Sequence, residues 1–286
     1  MCVYIARCWK INLLLLSVIF GGSIISTYWG VLSANALTSL VNDGFSTFMY
    51  WIKMMCICLV AWVIQIVLSS YLHALAIQNM NIQIRKDIAS NLANVDEEYI
   101  YDKATSSYVS WMVNDIATIN EYGFGNFSMI LSQIFNILTG GYVLFSLHYS
   151  LIASILLLTV AMVTVPKMFS KKLNAFMLDV SRANENFTHN LNGLFNGLRV
   201  LYSTQSMPYF MNKIVLESKL LAKNKIRYSS YSGLMQSATN GVSIASQIVL
   251  LMQAGWLYFA GYVVIGSLSA TQYLSATIFS SLTGLK

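Results

Sequence analysis

Residues 108–119 read YVSWMVNDIATI, and whether this stretch crosses a membrane decides how the chain is laid out. A span over 102–121 would carry Asp102, Lys103, Asp115 and Glu121 into lipid. At a few kcal/mol per charge near the bilayer centre, the total is on the order of 10 kcal/mol against insertion. The stretch therefore reads as an amphipathic helix outside the bilayer that feeds the next span. At helical spacing Val109, Met112, Val113, Ile116 and Ile119 share one face. Ser110, Asn114, Asp115, Thr118 and Glu121 share the other.

Composition explains why a span is the first thought. The 286 residues are 56% hydrophobic and 10% charged, with a mean hydropathy of +0.60, whereas soluble domains are about 25% charged. No Asp, Glu, Lys or Arg occurs in 11–42, 54–84, 122–166 or 228–285, runs of 32, 31, 45 and 58 residues. A span needs about 20 apolar residues, so the first two runs hold one span each and the last two hold two each. The third run breaks near Phe145–Ser150 and the fourth near Gly261–Gly266. Six spans are expected, at roughly 11–36, 54–78, 125–146, 150–170, 234–258 and 265–286. Arg7, Lys10 and Ala34-Asn35-Ala36 mimic a cleaved leader. The apolar region far exceeds the roughly 7–15 residues of a leader core, so the first span is expected to be retained. Cys2, Cys8, Cys56 and Cys58 show neither a pairing pattern nor metal spacing and read as small apolar filler.

The basic residues set the orientation. Of the 17 Lys and Arg, only Lys53 falls on one side of this layout. Arg7, Lys10, Lys286 and every basic residue of the long segments 79–124 and 171–233 fall on the other, with Lys167 at its edge. The positive-inside rule therefore places both termini and both segments in the cytoplasm. The formal charge of +6 is thus a topology signal rather than a nucleic-acid footprint. Between 79 and 121 seven acids outnumber three bases, while between 167 and 227 ten bases outnumber three acids. Both patterns read first as solvated helix surface.

Those segments are themselves helical in pattern. Leu173, Phe176, Met177, Val180, Phe187, Leu191, Leu194, Leu198 and Leu201 recur at helical spacing, as do Ile214, Glu217, Leu221 and Lys225 on the return. A helix running from the fourth span to residue 200 extends roughly 45 Å beyond the bilayer at 1.5 Å per residue. Such an extension must bury its stripe against another helix.

Three short stretches then carry a family resemblance. KATSSYVSWMVNDI (103–116) is similar to the first cytoplasmic turn of type I ABC exporter transmembrane domains. That turn has Gly, then Ser-Arg, then Asp followed by an aliphatic residue. Ser110 and Asp115-Ile116 match, Ser106 or Ser107 replaces the glycine, and Trp111 stands where Arg is frequent. NGLFNGLRVL (192–201) resembles the second turn through Gly197 and the aliphatics after it, with Asn192 in place of the usual Glu. GYVVIGSLS (261–269) is similar to the turn before the sixth span. The order of these stretches matches the family over essentially the whole chain.

The resemblance implies an all-α membrane fold of six transmembrane helices with long cytoplasmic extensions, assembled as a domain-swapped dimer with a second, identical or different, transmembrane domain. It implies coupling helices at about 103–112 and 201–212, seated in grooves of nucleotide-binding domains. Their contact residues would be Ser106, Ser107, Ser110, Trp111 and Asp115 in the first region, and Asn192, Gly197, Ser206, Met207 and Pro208 in the second. Pro208 after Ser206 suits the first turn of a helix. No G-x-x-x-x-G-K-[ST] sequence occurs in the chain. The chain is therefore expected to be non-enzymatic and to bind no cofactor, with ATP and Mg2+ held by a nucleotide-binding partner domain. Because it stops at Lys286, within or just past the sixth span, a truncated product or split gene is expected ahead of a dedicated permease subunit.

Within the spans, Gln65, Gln133, Asn136, Asn240, Gln247 and Gln253 are candidate cavity-lining residues. Most such groups in membrane helices simply bond a neighbouring helix. His73, His148 and His189 lie in separate elements and suggest no metal or catalytic centre. Ionised residues fall only near the span ends, which argues against a small, highly charged cargo and for an amphipathic drug, lipid or peptide. The expected role is the permease part of an ATP-driven exporter in the plasma membrane. The alternatives are an ATP-independent six-span carrier, for which midplane ionisable groups and interrupted helices are missing, and a non-transporting fragment.

Overall fold

A computed structural model describes residues 2–95 and 105–284, and among these the chain is helical without strands. In chain order the helices are α1 (Cys2–Arg7), α2 (Trp9–Asn42), α3 (Phe45–Ala93), α4 (Thr105–Ser110), α5 (Ile116–Ile119), α6 (Asn126–Leu147), α7 (Tyr149–Asn196), α8 (Leu198–Ser203), α9 (Met207–Phe259) and α10 (Gly266–Gly284). Two π-helical stretches, Trp111–Asp115 and Asn120–Gly125, join α4, α5 and α6 into one helical run. Five stretches are long and apolar enough to cross a membrane: Trp9–Asn42, Phe45–Ala93, Ser106–Leu147, Tyr149–Asn196 and Met207–Phe259. The chain divides into two compact units, Met1–Leu156 with Gln247–Lys286, and Leu157–Ser246.

In the first unit α2 packs along α3, α6 and α10, and α10 packs along α6 as well. Helix α10, expected as the sixth span, is not among the five apolar stretches, because hydroxyl and amide side chains make up ten of its 19 residues. Protein covers many of those groups: Ser267, Thr271, Ser275 and Ser281 are buried together with Ala270, Leu274, Ile278 and Phe279. Lipid tails are as apolar as Leu, so helices in lipid associate through close packing and hydrogen bonds rather than through water release. Small residues permit that approach here. Gly266 lies against the Ala34 carbonyl and Thr38, and Gly30 faces Tyr273 and Leu274. The Gly266 amide donates to Thr38 Oγ1 at 3.1 Å, Ser269 bonds Ser33 at 3.1 Å, and Ser26 meets the Tyr273 hydroxyl at 3.2 Å.

Two tight turns need glycine. Gly44 (φ 87°) turns α2 into α3, and Gly261 (φ 79°) follows α9, both in the left-handed region open to residues without a Cβ.

A second cluster lies farther along α2 and α3, where Leu15, Ile19, Leu72, Ala76, Met80 and Ile84 enclose Ile116 and Phe124. The helix containing 108–119 is thus held at Ile116, which is 1% exposed. The apolar face expected there needs correction: Val109, Val113 and Ile119 are exposed. For Ile119 the π-helical turn at Trp111–Asp115 contributes, because a wider turn adds a residue and rotates the side chains after it away from a regular 3.6-residue stripe. The polar face reads as expected, with Asn114, Asp115, Thr118 and Glu121 exposed. Helix α1 is tied to the far end of α3 by an ion pair, Arg7 Nη1 to Asp87 Oδ2 at 2.6 Å, and Asn12 donates back to the Ile5 carbonyl at 3.0 Å.

The second unit is a hairpin formed by the distal parts of α7 and α9. At 48 and 53 residues, each helix is more than twice the ~20 residues a span requires. Ring pairs close it in antiparallel register: Phe176 meets Tyr231 edge-on at 5.3 Å, and Phe195 meets Phe210 at 5.7 Å nearer the tip. The expected stripe on α7 is covered at Phe176, whereas Met177 is exposed. On α9 the centre of the stripe is Glu217, only 7% exposed and bonded by Lys213 at 2.9 Å.

Two outcomes follow from this packing. Gly266→Ala places a methyl against a backbone carbonyl that cannot swing aside, so it should lower stability by about 1–3 kcal/mol. Thermal unfolding in detergent checks this, with Gly21→Ala, which has open space around it, leaving the transition in place. The hydrogen bond from Arg7, followed by that from Tyr4, holds the Asp87 carboxyl below its ordinary value. A depressed carboxyl stabilises the folded contact above the unfolded pKa, about 4, and that contribution disappears as pH falls through the lower folded value. A spin label at exposed Val3 should therefore gain mobility in acid, and Asp87→Asn should show the same mobility already at neutral pH.

Candidate functional site

The clearest polar site lies among α2, α3 and α6, halfway along the three expected spans. Helix α2 offers Ile19, Gly22, Ser23 and Ser26, and α3 offers Trp62, Gln65, Ile66 and Ser69, each set at i, i+3, i+4 and i+7. Helix α6 adds Ser132 and Asn136. The space they line is about 260 Å3. Hydroxyls and amides line it together with Trp62, Ile19 and Ile66, and no charged side chain does.

Its walls are held by specific bonds. Gln65 lies over Gly22, where a Cβ would collide with its amide, and Nε2 donates to the Val18 carbonyl at 3.1 Å. That donation leaves the Gln65 acceptor oxygen to face elsewhere. Thr27 Oγ1 donates to Thr139 Oγ1 at 2.8 Å. Beyond this threonine bridge lies an apolar groove of about 470 Å3, formed by Phe20, Ile24, Tyr28, Val31, Leu138 and Tyr142 with Val143 and the two threonines. A polar cavity and an apolar groove therefore flank one α2–α6 seam. The cavity suits neutral hydrogen-bonding groups and the groove suits hydrocarbon.

Of the six amides singled out in the sequence, the structure brings two, Gln65 and Asn136, to this cavity. Gln253 instead donates to Ser150 Oγ at 3.1 Å, joining the α6–α7 turn to α9. Gln133 sits against Gly284 at the end of α10. Asn240 is exposed, and Gln247 is half-buried on α9. Sequence reasoning missed Ser23, Ser26, Ser69 and Ser132. Their signal is the recurrence of small hydroxyl residues one turn from an amide or glycine, a pattern common enough in membrane helices to pass unnoticed.

The two regions expected in the cytoplasm are built differently. In the first, Lys103, Ala104 and other residues of 96–104 lie outside the described residues, so the expected helix at 103–112 is seen from Thr105 onward. Ser106 is exposed, Ser107 and Ser110 are half-buried, and Asn114 donates to Ser110 Oγ at 3.3 Å. Trp111 stacks edge-on with Tyr108 at 5.2 Å. Arg85 Nε reaches the Met112 carbonyl at 3.3 Å, tying α3 to this run. Asp115 is fully on the exposed side.

In the second region the helix expected over 201–212 is two helices. Gly197 separates α7 from α8, and Thr204, Gln205 and Ser206 form a turn before α9. Gln205 has φ 54°, the left-handed conformation that a non-glycine residue adopts only under constraint. The constraint is visible: the Ser206 amide donates to the Leu201 carbonyl at 2.8 Å, and Thr204 Oγ1 donates to Ser206 Oγ at 3.2 Å. Met207 and Pro208 open α9, where proline's missing amide costs no helical bond. Asn192 and Pro208 are exposed, and Gly197, Ser206 and Met207 are half-buried. Behind the tip, hydrogen bonds from Lys213 and then Asn190 hold the Glu217 carboxyl below its usual range. Among the described residues no three His, Cys, Asp or Glu side chains gather as a metal site.

Comparison with known proteins agrees with this architecture. The ABC transporter transmembrane region matches residues 11–282. A Rickettsia felis protein named as an export ATP-binding/permease protein is 25% identical over 218 residues, covering 76% of this chain and 36% of the relative. A similarly named Rickettsia conorii protein is 25% identical over 219 residues, covering 76% and 37%. The chain thus spans little more than a third of the length of these curated relatives. With nearly every residue from the first span to the end of α10 inside the match, the chain belongs to the ABC transporter transmembrane region family.

Proposed function

We propose that this chain is the permease part of an ATP-driven exporter of the plasma membrane, moving an amphipathic drug, lipid or peptide by alternating access. The observation that carries the cargo class is the pairing of an uncharged polar cavity with an apolar groove across the Thr27–Thr139 bridge. At about 260 Å3 the polar cavity is smaller than a whole drug-sized site, for which 300–1,000 Å3 is usual. It accommodates the polar end of a cargo while the groove holds apolar length.

Six spans are part of the reading, with α10 as the sixth. A helix lined by protein on two sides tolerates the hydroxyls that keep it below the apolarity of the other five. Supporting a swapped dimer with a second transmembrane domain, residues 157–246 of α7 to α9 pack as a unit distinct from α2, α3, α6 and α10. Both termini and the two long segments face the cytoplasm in this reading. The Asp115 region and the Gly197–Pro208 tip then reach the grooves of nucleotide-binding domains. Those domains come from a separate chain or from sequence beyond this one, as the relatives' names and lengths suggest. ATP with Mg2+, bound there, supplies the free energy for closure. This chain's residues receive the push: the α7–α9 hairpin transmits it along helices stiffened by Phe176, Phe195, Phe210 and Tyr231.

Coexpression with a nucleotide-binding domain tests the assignment. The chain should co-purify with that domain and raise its cargo-stimulated ATPase rate several-fold, and Asp115→Lys should remove most of that stimulation while leaving membrane insertion unchanged. Absence of both association and stimulation contradicts the exporter reading, and uptake driven by an ion gradient in the chain alone favours a secondary carrier. Gln65→Leu combined with Asn136→Leu should weaken half-maximal stimulation by a polar-headed cargo about tenfold, the cost of one to two lost hydrogen bonds. The same pair should leave the basal ATPase rate unchanged.

A further inference from the structure

Between the apolar part of α7 and its extension lie two cations that the coupling reading does not use. Lys172 places Nζ 5.9 Å from the Phe176 ring and 5.2 Å from the Tyr231 ring. Across the hairpin Arg227 stacks its guanidinium 4.2 Å from the centre of the same Phe176 ring. Phe176 is only 8% exposed, whereas both cations are exposed. Among the described residues no carboxylate forms an ion pair with either. The Phe176 ring attracts both cations, and neither charge is neutralised by a carboxylate among the described residues, so each remains available to an anion. Lys167 and Lys171 add exposed charge on the preceding turns of α7.

Position identifies the anion. Lys172 follows the apolar stretch of α7 within two residues of its expected end at 170, and Arg227 precedes the charge-free run that begins at Tyr228. The Phe169 and Tyr231 rings meet at 5.6 Å, tilted by 50°, on the membrane side of the cations. Aromatic rings beside basic residues at a span boundary lie at headgroup depth, where the ring sits among carbonyls and the cation meets phosphate. We propose that Lys172 and Arg227, gathered by Phe176, form a binding site for the phosphate of an acidic phospholipid in the leaflet facing the α7–α9 hairpin. A bound lipid there bridges α7 and α9 at the point where the hairpin leaves the bilayer. The inference rests on the reading of α7 and α9 as membrane-crossing helices, and on nothing about ATP or cargo.

The test is lipid retention by the full chain. The chain is reconstituted in equal parts phosphatidylglycerol and phosphatidylcholine, extracted in mild detergent, and its co-purifying lipid quantified by mass spectrometry. Wild type should retain phosphatidylglycerol preferentially. Lys172→Gln with Arg227→Gln should reduce that preference roughly tenfold or more, since each basic residue near an anionic surface contributes about one factor of five. Phe176→Leu, which keeps both charges but removes the ring that gathers them, should reduce it severalfold. Lys219→Gln with Lys225→Gln removes equal charge from the part of α9 nearer the hairpin tip and should leave the preference intact. Equal loss in that control pair reduces the effect to general surface charge and overturns the site, as does full retention in the Lys172/Arg227 pair. Displacement of the lipid by inorganic phosphate at tens of millimolar assigns the site to free phosphate instead and also overturns the proposal. Failure of ATPase coupling leaves this retention unchanged, so the two readings fail separately.

Discussion

In hydrocarbon, every hydroxyl and amide that is not bonded to protein costs several kcal/mol, roughly the value of the hydrogen bond it lacks. That constraint organises the membrane part of this chain. Helix α10 has too many polar groups to face lipid on all sides, and its place between α2 and α6 follows from them. Gly266 and Gly30 let the backbones close, and Ser269, Tyr273 and the Gly266 amide then find Ser33, Ser26 and Thr38. The same rule shapes the polar cavity. Gln65 turns its amide to the Val18 carbonyl across Gly22, and the hydroxyls on adjoining turns are left around a shared space.

Beyond the apolar stretches the rule changes, because water satisfies polar groups and burial again becomes the driving force. There the helices are held by rings and aliphatic residues: Ile116 and Phe124 against α2 and α3, and Phe176 and Phe195 within the α7–α9 hairpin. The one carboxylate buried on the hairpin stripe, Glu217, is paired with Lys213, as a charge removed from water must be. The two regions outside the apolar stretches thus differ in construction. One is a run of interrupted helix tied to α3 by Arg85 and to the core by Ile116, and the other is a hairpin closed at its tip by a constrained turn at Gln205.

Much of this could be read from residue order alone, and the parts that could not share a physical cause. The expectation that 108–119 lies outside the bilayer rests on four charges, and the exposure of Asp115 agrees with the polar face read there. A continuous apolar face presumes a regular helix, whereas the π-helical turns at Trp111–Asp115 and Asn120–Gly125 shift the register of the residues that follow them. The break at Thr204–Ser206 was likewise hidden, since Ser-Met-Pro signals a helix start without showing that a separate short helix precedes it. Among the amides, Gln65 and Gln133 look alike in sequence, yet one lines a cavity and the other lies against Gly284.

The amino-acid sequence by itself determined that the chain is an apolar helical membrane protein with two long polar excursions, because hydropathy and charge act residue by residue against lipid or water. It also determined the family likeness, through short motifs in a set order. Only the tertiary structure decided which hydroxyls and amides meet around α2, α3 and α6, why α10 can be so polar, and how Lys172 and Arg227 converge on Phe176. These outcomes depend on the rotation of each helix about its axis and on how closely two backbones approach. Both are set by partners far away in sequence.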